Sequence, residues 1–334
     1  MINTSDLYPL RFEPLYKPVM WGGDQMSSVL GRKLPESSDP IGESWEIVDR
    51  DDAQSVVADG PMKGRTLQEL IHECGTLLLG GNFRGAKRFP LLVKLIDAGQ
   101  RLSLQVHPDA EACRRIGNGA EPKTEMWYII SAKPNAKIMA GLNPRTTRQQ
   151  LLASIDSPDV ESHLQVFKSE PGDAYFIFSG TIHAIGEGNL LLEIQQNSDT
   201  TYRVSDWGRL DKDGKSRELH LKQAIESIDF GNRTAPRITG VTGHAAHNRK
   251  FPVINRCPFF KADDLRLVTD WQDTTDPGAS FHLISAINGT VDVGRGDRTT
   301  RLNAGETCLI PAGFGTYTVR PTEAKEITIL KTTA

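Results

Sequence analysis

The chain has 334 residues and a formal net charge of −3 at pH 7, with 39 basic and 42 acidic residues. This length allows two domains with a sizeable core, and the lack of clustered positive charge argues against a nucleic-acid or membrane-surface partner. The sequence has no apolar run long enough to span a bilayer and no basic-then-apolar start, so we expect neither a membrane segment nor a secretory signal. Its four cysteines form no CxxC pair, which predicts reduced thiols in a cytoplasmic protein.

The sequence predicts a mainly β chain. Short apolar or alternating segments recur, and turn residues such as Gly, Pro, Asn and Asp separate many of them, which is typical of a barrel or a sandwich. In chain order, the predicted strands are SWEIVD (residues 44–49), FPLLVKLID (89–97), LSLQVHP (102–108), EMWYIIS (125–131), DAYFIF (173–178) and LLLEIQQ (190–196).

Two segments between these strands are predicted to be helical. In TLQELIHECG, Thr66 and Glu69 form a capping box and Gly75 is the predicted end of the helix. The second segment, TTRQQLLASIDSPDVESHL, covers residues 146–164. The stretch TGVTGHAAHNRK, Thr239–Lys250, is the predicted linker, and we place a domain boundary between residues 240 and 241.

An internal repeat relates the two sides of that boundary. PGDAYFIFSGTIHA (residues 171–184) aligns with AGETCLIPAGFGTY (residues 304–317), so that Gly172 matches Gly305 and Gly180 matches Gly313. The pattern of a turn glycine, a strand, a second turn and a ligand resembles the second sequence motif of the cupin barrels. His183 occupies the ligand position in the first copy, whereas Thr316, a poor metal ligand, occupies it in the second. We therefore expect two related barrels, of which only the first holds a metal.

The segment LSLQVHP raises the question of which way its polar face points. Alternate residues of a barrel strand point inward, so on the cupin interpretation Gln105 and His107 face the interior together. Glu125 would join them from the next strand and His183 from the turn described above. Two imidazoles, a carboxylate and an amide oxygen suit a divalent metal. A single histidine is more often a hydrogen-bonded core residue or a surface residue than a metal ligand. The prediction of a metal site therefore depends on the combination of Gln105, His107, Glu125 and His183.

Four motifs together closely resemble type I mannose-6-phosphate isomerase, also called phosphomannose isomerase, in its short bacterial form. They are QVHP, KTEMWY, SGTIHAIG and LLEIQQNSDTTYRVSDWGR, and the resemblance covers roughly residues 9–230, including MWGG near the start. It implies a zinc enzyme that interconverts mannose 6-phosphate and fructose 6-phosphate, with one zinc ion per chain. Carried over by motif, the zinc ligands are Gln105, His107, Glu125 and His183, and the catalytic residues are Arg203, Lys123 and Glu193.

The resemblance and the repeat together define the expected fold. We expect a jelly-roll-like cupin barrel with a few helices as the catalytic, metal-binding domain in residues 1–240. Residues 241–334 are expected to form a smaller, degenerate cupin-like β domain without metal. A small sugar phosphate is the expected partner, and the chain is expected to be a monomer or a dimer.

The residue types suit aldose–ketose isomerisation, which moves a proton between two carbons through an enediol. A Lewis-acidic metal stabilises charge on the substrate oxygens, a base such as Glu193 takes the proton, and a cation holds the developing negative charge. Arg203 and Lys123 are the cations expected to contact substrate, and Ser103 lies on the same strand face as the ligands. Each residue also has a structural interpretation: Glu193 as a salt-bridge partner, Lys123 as a surface lysine, and Arg203 as a clasp to Asp199 or Asp206.

Two other functions remain open from the sequence. An iron-dependent cupin oxygenase would use two histidines and one carboxylate, but Gln105 as a fourth ligand argues against it. A non-catalytic sugar-binding cupin would have lost the chemistry, but the presence of Lys123, Glu193 and Arg203 beside all four ligands argues against that.

Overall fold

The computed structural model describes residues 2–155, 157–231, 236–241, 243, 246–323 and 325–334 of the chain. Within these residues the structure is mainly β, as predicted, with short helices in the connections. The α-helices are Gln25–Ser28 (α1), Leu67–Leu79 (α2), Ala110–Ile116 (α3), Arg148–Ser154 (α4) and Leu221–Ser227 (α5). Short 3₁₀ helices cover Gly81–Phe83, Pro158–His163 and Ala312–Phe314.

The strands of the first two-thirds of the chain are Leu10–Arg11 (β1), Leu15–Pro18 (β2), Ile41–Ile47 (β3), Asp49–Arg50 (β4), Ala53–Gln54 (β5), Leu91–Asp97 (β6), Leu104–Val106 (β7), Glu125–Ala132 (β8), Lys137–Leu142 (β9), Leu164–Lys168 (β10), Ala174–Ile177 (β11), His183–Ile185 (β12), Asn189–Gln196 (β13) and Tyr202–Ser205 (β14). Those that follow are Arg237–Ile238 (β15), Arg249–Ile254 (β16), Lys261–Leu267 (β17), Trp271–Thr274 (β18), His282–Ala286 (β19), Val291–Arg295 (β20), Arg298–Leu302 (β21), Thr307–Ile310 (β22), Thr316–Pro321 (β23) and Ile327–Thr333 (β24). A strand therefore forms in each of the six segments predicted to be one.

The chain divides into two compact units. One contains residues 16–44 and 95–240, and we call it the first barrel. The other, the second barrel, contains residues 241–334 together with residues 1–15 and 45–94. The predicted domain boundary between residues 240 and 241 stays a prediction. The N-terminal residues 1–15 and 45–94 belong to the same unit as the C-terminal residues 241–334.

The first barrel is built from two β-sheets. One has the strand order β10-β9-β12-β7-β14, and the other has the order β15-β11-β8-β13-β6-β3-β2. Trp127 and Leu191 from the second sheet share a buried cluster with Ile138, Ala140 and Ile185 from the first. Because alternate residues of a strand point to opposite faces, the same inward face that carries these apolar residues also carries the polar ones described below.

The second barrel repeats this arrangement. Its sheets have the orders β1-β22-β19-β24-β17-β16 and β18-β23-β20-β21, and Leu265, Ile284, Val293, Val319 and Ile329 are fully buried in its core. The sequence repeat is confirmed at the level of strands, since β11 and β22 occupy matching positions, as do the starts of β12 and β23. Gly172 and Gly305 both have positive φ, at 90° and 82°, which explains why the turn before each strand requires glycine.

One detail of the repeat differs from the prediction. Thr316 begins β23 as expected, but its side chain is exposed and its hydroxyl lies 3.1 Å from that of Thr274. The next residue, Tyr317, is the one buried in the core. The inward position that corresponds to His183 is therefore occupied by Tyr317, and not by Thr316.

Helix α2 begins as predicted and continues past its predicted end. Thr66 and Glu69 form the capping box. The helical conformation breaks at Cys74, whose φ is −139°, one residue before the predicted end at Gly75, but a second helical segment follows to Leu79, before Gly80 with a φ of 93°. Leu78 and Leu79 in this second segment are buried.

The second predicted helix and the linker are also partly corrected. Residues 146–164 do not form one helix, since α4 ends at Ser154 and Ser157, which precedes a proline, is extended. Residue 156 lies outside the described residues, as do residues 242, 244 and 245 of the predicted linker. The last two residues of that linker, Arg249 and Lys250, begin β16. None of the helices in the described ranges is long and apolar enough to cross a membrane.

Candidate metal centre

The predicted ligands lie on or next to two adjacent strands of one sheet of the first barrel and on one strand of its other sheet. In the first sheet, Gln105 on β7 is paired across the strands with His183 on β12 and with Arg203 on β14. Glu125 is the first residue of β8, in the other sheet. His107 follows β7 directly, on the same face as Gln105. The polar face of LSLQVHP therefore points inward, as predicted.

Three of the four predicted ligands form a tight, fully buried group. His107 Nε2 lies 3.4 Å from Glu125 Oε2, and His183 Nε2 lies 3.5 Å from Glu125 Oε1. The candidate ligand atoms of these residues all lie within 4.8 Å of one another. Gln105 is adjacent, because its Nε2 lies 3.2 Å from His183 Nε2. A rotation of this amide would place its oxygen toward the group instead.

Both histidines are held in the orientation that metal binding requires. His107 Nδ1 lies 2.9 Å from the carbonyl oxygen of Thr200, and His183 Nδ1 lies 2.8 Å from that of Thr181. A carbonyl only accepts, so each Nδ1 carries the proton and each Nε2 is left as the ligand atom. These two carbonyl partners were not predicted, because backbone contacts of this kind leave no sequence signal.

The donor set fits a zinc-class ion. Buried polar groups normally have hydrogen-bond partners, yet His107 Nε2 and Glu125 Oε1 are buried without one among the described residues. Two imidazole nitrogens and a carboxylate oxygen are common zinc ligands, and an amide oxygen can complete the site. A cation at this point would satisfy all of these atoms at once.

The electrostatics of the group favour the forms that bind metal. Burial and the neighbouring His107 lower the pKa of His183 to about 3. Burial and Lys123 also lower the pKa of His107. Burial acts to raise the pKa of Glu125, but the charge of Lys123 and the contact with His107 outweigh it and hold this pKa well below its usual range. At neutral pH the site therefore offers two neutral imidazoles and one carboxylate.

Lys123 and Ser103 both lie beside the ligands. The Nζ of Lys123 is 3.0 Å from Glu125 Oε2, and only 5% of its side chain is exposed. Its interpretation as a surface lysine is therefore wrong. Ser103 is buried, and its Oγ lies 3.4 Å from Gln105 Oε1.

Glu193 is buried on the inward face of β13. It is paired with Trp127, two residues along β8 from Glu125, and the Trp127 indole Nε1 donates to Glu193 Oε2 at 2.9 Å. The Trp127 ring also packs edge-on against His183, with 5.3 Å between ring centroids. Trp127 thus links the candidate base to a candidate ligand. The two-residue period places Trp127 on this face, but the sequence did not predict its hydrogen bond.

Arg203 is half-buried beside Gln105. Its Nη1 donates to the carbonyl oxygen of Glu218 at 2.7 Å, and burial and the nearby charge of Arg217 lower its pKa. The Asp206 carboxylate, one of its two suggested structural partners, is bound instead by Arg209 at 2.6 Å and by Arg217 at 2.5 Å.

Comparisons with known proteins identify the family of this chain. A family model described as the catalytic domain of type I phosphomannose isomerase matches residues 10–126. Mannose-6-phosphate isomerase ManA of Bacillus subtilis (strain 168) is 38% identical over 314 residues, which cover 92% of this chain and 95% of that protein. The chain belongs to the type I phosphomannose isomerase family. The resemblance inferred from the motifs is therefore confirmed, and it extends well beyond residue 230.

Other members of the phosphomannose isomerase family support the same assignment. The mannose-6-phosphate isomerase of Streptococcus mutans is 34% identical over 307 residues, covering 91% of this chain and 92% of that protein. The crystal structure of mannose 6-phosphate isomerase from Bacillus subtilis matches with a TM-score of 0.84 at 33% identity, over 97% of this chain and 99% of that one. A putative mannosephosphate isomerase from Archaeoglobus fulgidus shares the fold, with a TM-score of 0.75 at 21% identity.

Proposed function

We propose that this protein interconverts mannose 6-phosphate and fructose 6-phosphate at a single zinc ion held by Gln105, His107, Glu125 and His183. The observation that carries the proposal is the buried group of His107, Glu125 and His183, in which His107 Nε2 and Glu125 Oε1 have no hydrogen-bond partner among the described residues. When bound, zinc supplies Lewis acidity toward the oxygens of the sugar. The membership of the family supports the substrate, and the donor set supports the metal.

The other inward side chains divide the remaining tasks. Glu193 is the proposed base, and the hydrogen bond from Trp127 to Oε2 holds its carboxylate in one orientation. Arg203 is proposed to contact the oxygen on which negative charge develops in the enediol step, or the phosphate. Lys123 balances the charge of Glu125 and is proposed to contact substrate together with Ser103. Because Ser103, Lys123 and Glu193 are buried, they act on the substrate with little competition from water.

A coupled assay for fructose 6-phosphate, run with and without a metal chelator, tests the proposal. We expect turnover of mannose 6-phosphate that is lost with chelator and restored by zinc, together with about one zinc ion per chain by elemental analysis. Bound iron with oxygen uptake and no isomerase activity would contradict it and favour the oxygenase alternative. Metal binding without turnover of any sugar phosphate would favour the non-catalytic alternative. The cytoplasmic location and the monomeric or dimeric state stay predictions.

A further inference from the structure

The strand pairing of the second barrel reveals which of its residues correspond to the metal site of the first. In the first barrel, β8 pairs with β11 and β13, and Glu125 lies opposite Ile177 and Gln195. In the second barrel, β19 pairs with β22 and β24, and His282 lies opposite Ile310 and Thr333. Ile310 is the repeat partner of Ile177 in the aligned sequences. His282 therefore occupies the position of Glu125.

Three more inward residues of the second barrel follow from the same register. Lys331 lies opposite Ile284, just as Glu193 lies opposite Trp127, so Lys331 corresponds to Glu193. Asp273 on β18 is paired with the inward Tyr317, as Gln105 is paired with His183. The second barrel thus keeps a polar group at the place where the first has its candidate metal centre.

These four side chains form one connected network. Lys331 Nζ forms an ion pair with Asp273 Oδ2, and the Tyr317 hydroxyl lies 2.8 Å from His282 Nδ1. Burial acts to raise the pKa of Asp273, but Lys331 outweighs it and holds this pKa below its usual value. The ammonium group of Lys331 thus supplies, within the network, the positive charge that a metal would supply in the first barrel.

The contact with Tyr317 leaves one imidazole nitrogen of His282 for another partner. Tyr317 Oη lies 2.8 Å from Nδ1, so Nε2 is the nitrogen that remains, and it accepts or donates a hydrogen bond according to the tautomer. Burial and Lys331 lower the pKa of His282 to about 4, so the imidazole remains neutral at physiological pH.

His282 lines a cavity of about 400 Å³ within the second barrel. This volume lies in the range of roughly 300–1,000 Å³ that is typical of ligand pockets. Phe259, 37% exposed, and the buried Phe260 give it an apolar side, while Ser280 and Thr333 add polar groups. Lining groups of opposite charge, Lys261 and Asp276, are both present.

We propose that this cavity binds a small, neutral, hydroxyl-bearing molecule of the sugar or polyol class, with a hydroxyl hydrogen-bonded to His282 Nε2. The side chains that line the cavity carry no net charge, because Lys261 and Asp276 have opposite charges and His282 is neutral. An aromatic side and an imidazole nitrogen able to form a hydrogen bond suit the mixed apolar and polar surface of a sugar. The site is separate from the catalytic one and does not depend on the proposed isomerase activity.

The test uses the full-length, metal-loaded protein with ¹⁵N-labelled histidine, and the signal of His282 Nε2 is assigned with the variant His282→Gln. We expect D-mannose to shift this signal in a saturable way at millimolar concentrations, and inorganic phosphate to leave it in place. Phe259→Ala should weaken the binding on the order of tenfold, because an aromatic contact is lost. Phe178→Ala, which truncates a similarly exposed phenylalanine of the first barrel (42% exposed), is the matched control and should not weaken it.

Two results would overturn the proposal. One is a His282 signal that neither D-mannose nor D-mannitol moves, or that phosphate moves as much as mannose does. The other is an equal effect of Phe259→Ala and Phe178→Ala on the mannose titration, which would place the binding outside this cavity.

Discussion

Replacing Arg203 tests whether its guanidinium stabilises charge that appears only during the reaction. Its Nη1 donates to Glu218, whereas its Nε is buried without a hydrogen-bond partner among the described residues. The side chain therefore keeps donors for a substrate oxygen. Loss of one such preorganised donor lowers kcat by about 10²- to 10³-fold. Lysine keeps the charge but loses the planar fork, so we expect Arg203→Lys to lower kcat by roughly tenfold to a thousandfold.

Initial rates over a range of mannose 6-phosphate concentrations separate kcat from KM for this variant. Arg203→Ala should lose more activity than Arg203→Lys, with unchanged zinc content, because Arg203 is not among the proposed ligands. Arg237→Lys, which alters an arginine paired with Asp173 at 2.7 Å in the same barrel, is the control and should retain kcat. A normal kcat with a raised KM in Arg203→Ala would instead assign Arg203 to phosphate binding. Loss of zinc or of the fold would assign it to a structural role through Glu218.

Four further predictions follow from the geometry. His183→Ala should lose metal and activity together, and full metal content by elemental analysis would contradict its role as a ligand. Glu193→Gln keeps an oxygen to accept from Trp127 but cannot take a proton, so kcat should fall by about 10²- to 10⁴-fold with zinc retained; a smaller loss would exclude it as the base. His282 is neutral in the folded protein with a pKa of about 4, so the free energy of unfolding should fall as the pH drops from the unfolded value of about 6.5 towards 4, by at most about 1.4 kcal/mol per pH unit from this residue. Urea titrations of His282→Gln should show a weaker pH dependence over that range, and an unchanged one would refute the assignment. Residues 241–334 alone should fail to fold, as judged by circular dichroism and urea unfolding, because Leu10 and Arg11 extend their sheet and helix α2 packs on the 3₁₀ helix Ala312–Phe314; a cooperative unfolding transition would contradict this.

The ligand group could be predicted because its signal is local. Gln105 and His107 are two residues apart on one strand, so the two-residue period of a β-strand places them on the same face whatever the rest of the fold does. Glu125 begins a strand with an unmistakable apolar pattern, and His183 follows a turn whose glycine, Gly180, has a φ of 87°. Each position was therefore determined by its own few neighbours in sequence, and the resemblance to a family supplied the connection between them.

The contacts around the ligands could not be predicted, because they join residues far apart in sequence. Trp127 and Glu193 are brought together by the pairing of β8 with β13, and the register of two strands cannot be derived from the pattern of either one. The same holds for the contact of Arg203 with Glu218, which depends on the path of the loop after β14. The sequence suggested an ion pair between Arg203 and Asp206. Asp206 does bind arginine, but the sequence could not show that its partners are Arg209 and Arg217.

In the second barrel, a shift of one residue changes which side chain of the repeated motif points inward. The alignment correctly places Thr316 at the start of a strand, but the turn before it differs, with a 3₁₀ helix over Ala312–Phe314 and a positive φ of 80° at Gly315. A shift of one residue exchanges the two faces of a strand, so Tyr317 points inward where His183 does in the first copy. The repeat alignment therefore matched His183 with an exposed threonine. From this match it predicted a second barrel that differs from the first by the loss of a metal ligand. The inward residues of the second barrel, Tyr317 and His282 among them, instead form a polar network. His282 corresponds to Glu125 and Tyr317 to His183, and this correspondence follows from the pairing of residues across strands rather than from their order in the chain.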